Sequence, residues 1–407
     1  GNRKPMTGQF KSPGDEPPAT TTLRAESQHQ GRCGPWKEPG YTDAHWLLEW
    51  HFDGVLSRPE RIKDSTGYRN EGVFRLGATK FAAADYDNRW GAPQQCPRGL
   101  VCHEETMLSR ISDKVKVPTR LRVMYDPKRC SSSRPCQPLF EIGGGGDCTD
   151  RFPADDILKF WADKNYLVVG VFPHCEKTPE FSWAVHEVAQ LEETAEFIRS
   201  PRSAARSKIA PNAPNYATGS SHGAVLVSLW HFKGKKHPPT KTFARSAIFD
   251  GLDLLLDFYP RLGRGDAAIA KQQAQESMTV VGRTMSPKEL FQWNSRHMVV
   301  NFRDPKSVAA VKAIAQKSQF GASFGTRRKN LAGCFEYTKG FPHSTRKFAE
   351  LLLEANPDSS AFFEVDQNPC MHGIGTPSEN PAEWRCLSDF FSKGAALACP
   401  QKQIVTQ

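Results

Sequence analysis

Asn215-Tyr216-Ala217-Thr218-Gly219-Ser220-Ser221-His222-Gly223-Ala224-Val225-Leu226-Val227-Ser228-Leu229-Trp230 is the stretch whose reading decides the fold. It holds Gly-x-Ser-x-Gly centred on Ser221, after a short strand-like run and before a nearly all-apolar run long enough for a buried helix. That is the layout of a nucleophile elbow. The strand-to-helix turn is so tight that side chains two positions either side of the serine would strike their neighbours. Gly219 and Gly223 remove those collisions, leaving Ser221 Oγ exposed and the amide of His222 aimed at a developing oxyanion. A structural Gly/Ser turn is the plain alternative, and the strand-turn-helix setting argues against it.

Moving outward, the chain alternates strand and helix. An apolar strand over 138–142 runs straight into Gly143-Gly144-Gly145-Gly146, and a helix follows through Ile157, Leu158, Phe160 and Trp161. A strand over 166–172 is closed by Pro173. Ala184, Val188, Leu191, Ala195 and Ile198 then recur at helical spacing, with Glu187, Glu192, Glu193 and Glu196 between them on the polar side. Beyond the elbow, strands are predicted over 243–249, ending at Asp250, and over 298–302, ending at Arg303-Asp304-Pro305. Between them lies a helical excursion over 252–295. Two helices flank a predicted loop near 321–333, the second starting from an N-cap at Ser344, and a last strand over 361–365 opens into Asp366 to Gly373. Alternation of this kind implies a mostly parallel sheet with helices on both faces.

Upstream the pattern differs. Residues 1 to about 40 are rich in Pro, Gly, Thr and charge without periodicity, so a mobile arm is expected there. Trp46, Leu48, Trp50 and Phe52 alternate as a half-buried strand, and Leu121, Val123 and Tyr125 alternate with Arg120 and Arg122 as an antiparallel strand near a sheet edge.

A chain of 407 residues buries a large core as two or three domains or as one large α/β domain with insertions. No apolar run reaches the ~18 residues of a membrane span. The opening Gly1-Asn2-Arg3 has no apolar leader, so an export signal is expected to have been removed or left out. Eleven cysteines, with Cys96/Cys102 and Cys130/Cys136 closely spaced and no zinc-type spacing, point to disulfides and a secreted or periplasmic protein. The formal charge of +10 is scattered in short clusters such as Lys233, Lys235 and Lys236, which suits a solvated surface or attraction to an anionic polymer. No nucleic-acid motif is present, no metal or organic cofactor is implied, and the oligomeric state is not readable.

Loops after the carboxyl ends of parallel strands converge, so groups far apart in sequence can meet there. Ser221, Asp304 and His372 occupy such positions in the order expected of a triad on this kind of sheet. A serine hydroxyl needs a base to remove its proton, and the imidazole that serves needs an acceptor on its far nitrogen. His372 lies in a Gly-flanked loop after the last strand, with His174 as the reserve base; Asp250 and Asp366 are alternatives to Asp304 as the acid. Asp304 has a plainer role open to it, starting the Asp-Pro turn. The four glycines let backbone amides point inward, so an amide of Gly144 or Gly145 is expected to pair with that of His222 around an oxyanion.

These motifs resemble the α/β-hydrolase superfamily over residues 119–395. The resemblance rests on Gly219-Ser220-Ser221-His222-Gly223, on Ile142 and the four glycines where many members have His-Gly-Gly-Gly, on Asp304 after the penultimate strand and on His372 after the last. Within that superfamily, Asp147-Cys148-Thr149, residues 161–166 and Pro173 are similar to secreted polyhydroxybutyrate-depolymerase and feruloyl-esterase types. The resemblance implies a catalytic domain over 41–400, a lid or cap drawn from 252–295 between the strands ending at Asp250 and Asp304, and neighbouring strands ending near Gly143 and Pro173. It also implies a Cys148–Cys175 bridge and a tie from Cys370 to a C-terminal cysteine such as Cys386. The activity implied is a secreted serine esterase working through an acyl-enzyme on a small or polymeric ester. Amidase or acyltransferase chemistry on the same triad, and a non-catalytic binding protein of the same fold, are the alternatives.

Overall fold

Eight strands form one sheet and helices cover both its faces in the computed structural model, which describes residues 96–110, 116–144, 153–173, 185–253, 279–280, 283–284, 286–327, 335–367 and 376–398. In chain order the elements are β1 (Val101–Arg110), β2 (Lys116–Tyr125), β3 (Gln137–Ile142), α1 (Asp155–Ala162), β4 (Tyr166–Phe172), α2 (Val185–Phe197), β5 (Tyr216–Ser220) and α3 (His222–Lys233). They continue with β6 (Lys241–Arg245), α4 (Pro287–His297), α5 (Pro305–Ala315), β7 (Gln319–Arg327), α6 (Phe335–Ala355), β8 (Ser360–Gln367) and α7 (Pro381–Lys393). A minimal hairpin, Thr279–Val280 against Arg283–Thr284, precedes α4. The spatial order is β1-β2-β4-β3-β5-β6-β7-β8. β2 is antiparallel to β1 and β4, and every pairing from β4 through β8 is parallel.

The strand sequences explain the layering. Leu139 and Phe140 are adjacent in β3 and both fully buried, one facing α1 and α7, the other facing α2 and α3. Tyr166–Phe172 is buried at every position, as a strand covered on both faces must be. α3 is buried from His222 to Phe232; a helix apolar all round can only be a core helix, and this one is packed by α2, α5 and α6. Two disulfides, Cys96–Cys102 and Cys130–Cys136, bracket the first strands, and Cys386 on α7 is also disulfide-bonded.

Five sequence expectations are corrected. Residues 298–302 form no strand: Met298, Val299 and Val300 are buried, but the amides of Asn301, Phe302 and Arg303 go to Ser307 Oγ, Asp250 Oδ2 and Asn301 Oδ1 rather than to a ladder. The sheet strand is instead β7, inside the stretch read as a loop. Gly321 belongs there because a Cβ would come within 2.5 Å of the Phe243 ring. Ser344 does not start a helix; α6 begins nine residues earlier at Phe335, and buried Ser344 Oγ accepts from the amide of Phe249. Glu187 is not on a polar face: it is 1% exposed. Likewise β6 ends at Arg245, short of Asp250. β2 is the antiparallel strand near the sheet edge that its alternation suggested, buried from Leu121 to Tyr125. The arm over 1–40, the strand at Trp46–Phe52 and residues 254–278 of the insertion lie outside the described residues, as do Cys148, Cys175 and Cys370.

Candidate active site

β5 hands the chain to α3 through Ser221, which sits at φ 54° and ψ −118°. A serine accepts this left-handed conformation only where the surroundings impose it. The surroundings here are two close backbone approaches. A Cβ on Gly219 would stand 2.5 Å from the carbonyl of Gly223, and one on Gly223 would stand 2.3 Å from the carbonyl oxygen of Ile142. The elbow is thus pressed against the end of β3. The Ser221 amide donates to the Arg245 carbonyl at 2.9 Å, and the Ser221 carbonyl accepts from Val225. Although Ser221 is the residue before the helix, its side chain makes no capping hydrogen bond, so the hydroxyl is not consumed by helix initiation.

The glycine run begins on top of this turn. A Cβ on Gly144 would lie 3.0 Å from both the Ser220 carbonyl oxygen and Ser221 Cβ, so the backbone of Gly144 rests directly on the serine. Gly145 lies outside the described residues. On the other side, the His222 ring is 1% exposed and its Nε2 is 2.9 Å from Glu187 Oε1, also buried. α2 therefore holds the residue that follows the nucleophile. Sequence reading missed Glu187 because its position in the helical repeat looks polar; a carboxylate in the first turn of a helix is commonplace and gives no local sign of a buried partner.

Beneath the turn lies a second group that sequence reading missed. Arg245 Nη2 donates to Glu141 Oε1, Arg245 Nε donates to the Gly219 carbonyl at 3.3 Å, and Trp161 Nε1 donates to Glu141 Oε2 at 3.0 Å. Burial pushes the Glu141 carboxyl up to about 7, with the Arg245 charge pulling against it.

The acid candidates separate. Asp304 does not follow the penultimate strand of the sheet, which is β7; it caps α5, its carboxylate accepting from the amide of Lys306. Because α5 returns the chain from the region after β6 into β7, its N-terminus and Asp304 lie toward the edge where the parallel strands end. Residues 328–334, which do follow β7, contain no carboxylate. Asp250 is fully buried and accepts from the amides of Leu252, Asp253 and Phe302 and from Asn294 Nδ2. Burial raises its pKa while these donors oppose the rise, and all of them bind it to a structural task. Asp366 is on β8, six residues before His372; His372 itself and His174 lie outside the described residues. An unforeseen cluster stands on the α6 side of the insertion, where Asp253 accepts from Lys347 and pairs with His343 Nε2 at 2.8 Å. Burial acts to raise the Asp253 carboxyl, but these two partners outweigh it and hold the carboxyl below its usual range.

No group of His, Cys, Asp and Glu among the described residues is arranged to hold a metal ion, and no helix there is long and apolar enough to cross a membrane. No protein-family model and no curated protein matches the chain. Among solved structures it is similar to an esterase of Pyrococcus furiosus, at 11% identity and TM-score 0.45, over 75% of this chain and 97% of that one. It is also similar to an acylaminoacyl peptidase of Pyrococcus horikoshii at 10% identity and TM-score 0.44, over 74% of this chain and 43% of that one. Prolyl oligopeptidase B of Galerina marginata is similar at 14% identity and TM-score 0.46, over 74% of this chain and 36% of that one. Likeness of this degree adds no weight to the topology, which stands by itself. The strand order, the antiparallel second strand and the strained serine between β5 and α3 give this chain the α/β-hydrolase fold.

Proposed function

We propose that the protein is an exported serine hydrolase that cleaves carboxylic esters through an acyl-enzyme. The observation that carries this reading is Ser221 at φ 54° with the backbone of Gly144 laid against it, a turn whose strain has no evident structural return. In the proposed reaction Ser221 Oγ attacks the ester carbonyl, His372 takes the serine proton and passes it to the leaving alkoxide, and Asp304 orients His372. The amides of Gly144 and His222, joined by Gly145, receive the oxyanion. Water then enters, His372 removes its proton, and the acid is released with Ser221 restored. Residues 252–295 supply either a lid over an apolar acyl chain or polymer or a helical layer covering the sheet. The described disulfides favour export, because cytosolic thiols are kept reduced.

A fluorophosphonate probe tests the core of this. Labelling of the wild type that disappears in Ser221→Ala is expected, and a folded wild type that takes no label overturns the reading in favour of a binding protein. His372→Ala is expected to lose at least ~1,000-fold in rate with folding intact. Asp304→Asn, Asp250→Asn and Asp366→Asn assayed side by side identify the acid: Asp304→Asn is expected to be the folded variant with a comparable loss. Matched ester and amide substrates, run with and without an acceptor alcohol, separate esterase from amidase and acyltransferase. A series of chromogenic esters of increasing acyl length, followed by insoluble polyesters, defines the acyl group.

A further inference from the structure

The carboxyl edge of the sheet contains a buried ion pair that a hydrophobic core does not need. Glu141 and Arg245 are 1% and 2% exposed, they sit on β3 and β6, and β5 with the nucleophile turn runs between them. In register Glu141 stands opposite Thr218, Ile142 opposite Gly219, and Ser220 opposite Arg245. The pair therefore crosses under β5 one residue below the elbow. Both side chains point to the face covered by α1 and α7, where Trp161 Nε1 donates to the carboxylate and the guanidinium lies 4.7 Å from the Trp384 ring centroid.

Arg245 bonds to one half of the proposed oxyanion site, and Glu141 lies on the strand that leads into the other. Arg245 holds the turn twice, through Nε to the Gly219 carbonyl and through its own carbonyl to the Ser221 amide. Glu141 is three residues before Gly144, whose backbone bears on Ser221. Taking two charges out of water is costly, and apolar residues of the same size commonly leave a core as stable or more so. What an apolar pair lacks is direction: a forked guanidinium fixes three strand ends at set distances, whereas methylene contacts let them slide.

We propose that Glu141 and Arg245 are positioning residues that set the spacing between the Gly144 amide on one strand end and the Ser221–His222 turn on the next. The inference rests on the serine-hydrolase reading. It follows that removing the pair slows the chemical step without weakening substrate binding, because the pair touches no substrate. A displacement of about 1 Å in such a site costs ~100-fold in rate.

The test is the double variant Glu141→Leu/Arg245→Met, compared with wild type for kcat, KM, fluorophosphonate labelling rate and Tm. The expected result is kcat and labelling rate down by about tenfold to ~100-fold, KM within about twofold, and Tm equal or higher. A folded double variant with kcat within about twofold of wild type overturns the inference and leaves the hydrolase reading standing. An inert wild type removes both. Should the double variant fail to fold, Glu141→Gln, which keeps the volume and an acceptor for Trp161, is read in the same way: a loss in kcat at constant KM supports the positioning role, and an unchanged kcat ends it.

Discussion

At the scale of single residues, two glycines beside Ser221 do different work, and the distances sort them. A Cβ added to Gly223 would stand 2.3 and 2.5 Å from the carbonyl oxygens of Ile142 and Gly143, backbone atoms that cannot turn aside. Gly223→Ala is therefore expected to destabilise the fold by about 2–3 kcal/mol or more, read by urea unfolding. A Cβ added to Gly144 would have more room, its nearest neighbours being at 3.0 Å, and those neighbours are the turn and the nucleophile. Gly144→Ala is expected to change stability by less than ~1 kcal/mol while lowering kcat by ~100-fold, the scale of a displaced oxyanion donor. If Gly144→Ala unfolds like Gly223→Ala while its folded fraction keeps full activity, the placement of the oxyanion site at Gly144 is wrong.

At the scale of elements, α3 is the axis of the molecule, and its neighbours hold it by different means. α6 docks by packing: Phe348 meets Phe232 of α3 edge to face with centroids 5.5 Å apart, and Ser344 receives the amide of Phe249 from the segment after β6. α2 docks by a polar contact, Glu187 to His222, with both side chains 1% exposed. Glu187→Ala is expected to cost about 2–3 kcal/mol, since it strips a partner from a buried imidazole. A double-mutant cycle with His222→Ala is expected to show coupling above ~1 kcal/mol; additive losses would mean that α2 holds α3 by packing alone. Neither contact was legible beforehand. The period of α2 was correct from its apolar residues, but Glu187 falls between them and reads as solvent-facing. Ser344 looked like a cap because serine before an apolar run commonly is one, and only the tertiary contact shows the helix running through it.

At the scale of the whole molecule, buried titratable groups contribute to the pH dependence of stability. His231 is 2% exposed, with Nδ1 2.9 Å from Thr242 Oγ1 and Nε2 2.8 Å from Ser318 Oγ, and burial pushes its pKa down to about 3. Its folded pKa lies below its unfolded value of about 6.5, so the unfolded chain binds the extra proton between the two. The stability from a neutral His231 is thus complete above about pH 6.5 and declines as pH falls towards 3. Glu141 acts in the opposite sense, its raised pKa of about 7 lowering stability as pH rises from 4.5, so the wild-type slope alone is ambiguous. The comparison that isolates His231 is urea unfolding of wild type and His231→Gln at pH 6.5 and 5.0. Wild type is expected to lose roughly 1–2 kcal/mol more than the variant over that interval. Parallel slopes would mean that His231 gains a compensating charge partner on protonation.

The sequence alone determined what depends on neighbours in the chain. The elbow was legible because Gly219 and Gly223 flank a serine where no other residue fits the turn, and the βα alternation was legible because burial imposes a period of two on strands and 3.6 on helices. Short apolar runs carry no such period, so 298–302 passed for a strand while Gly321 and Gly325 disguised the real one in β7. Only the tertiary structure decided which polar groups meet. Arg245 and Glu141 are 104 residues apart and Glu187 and His222 are 35 apart, and their pairing follows from strand register and helix docking. A charged side chain written in sequence looks the same whether it faces water or a partner; the difference is made by the surface folded against it.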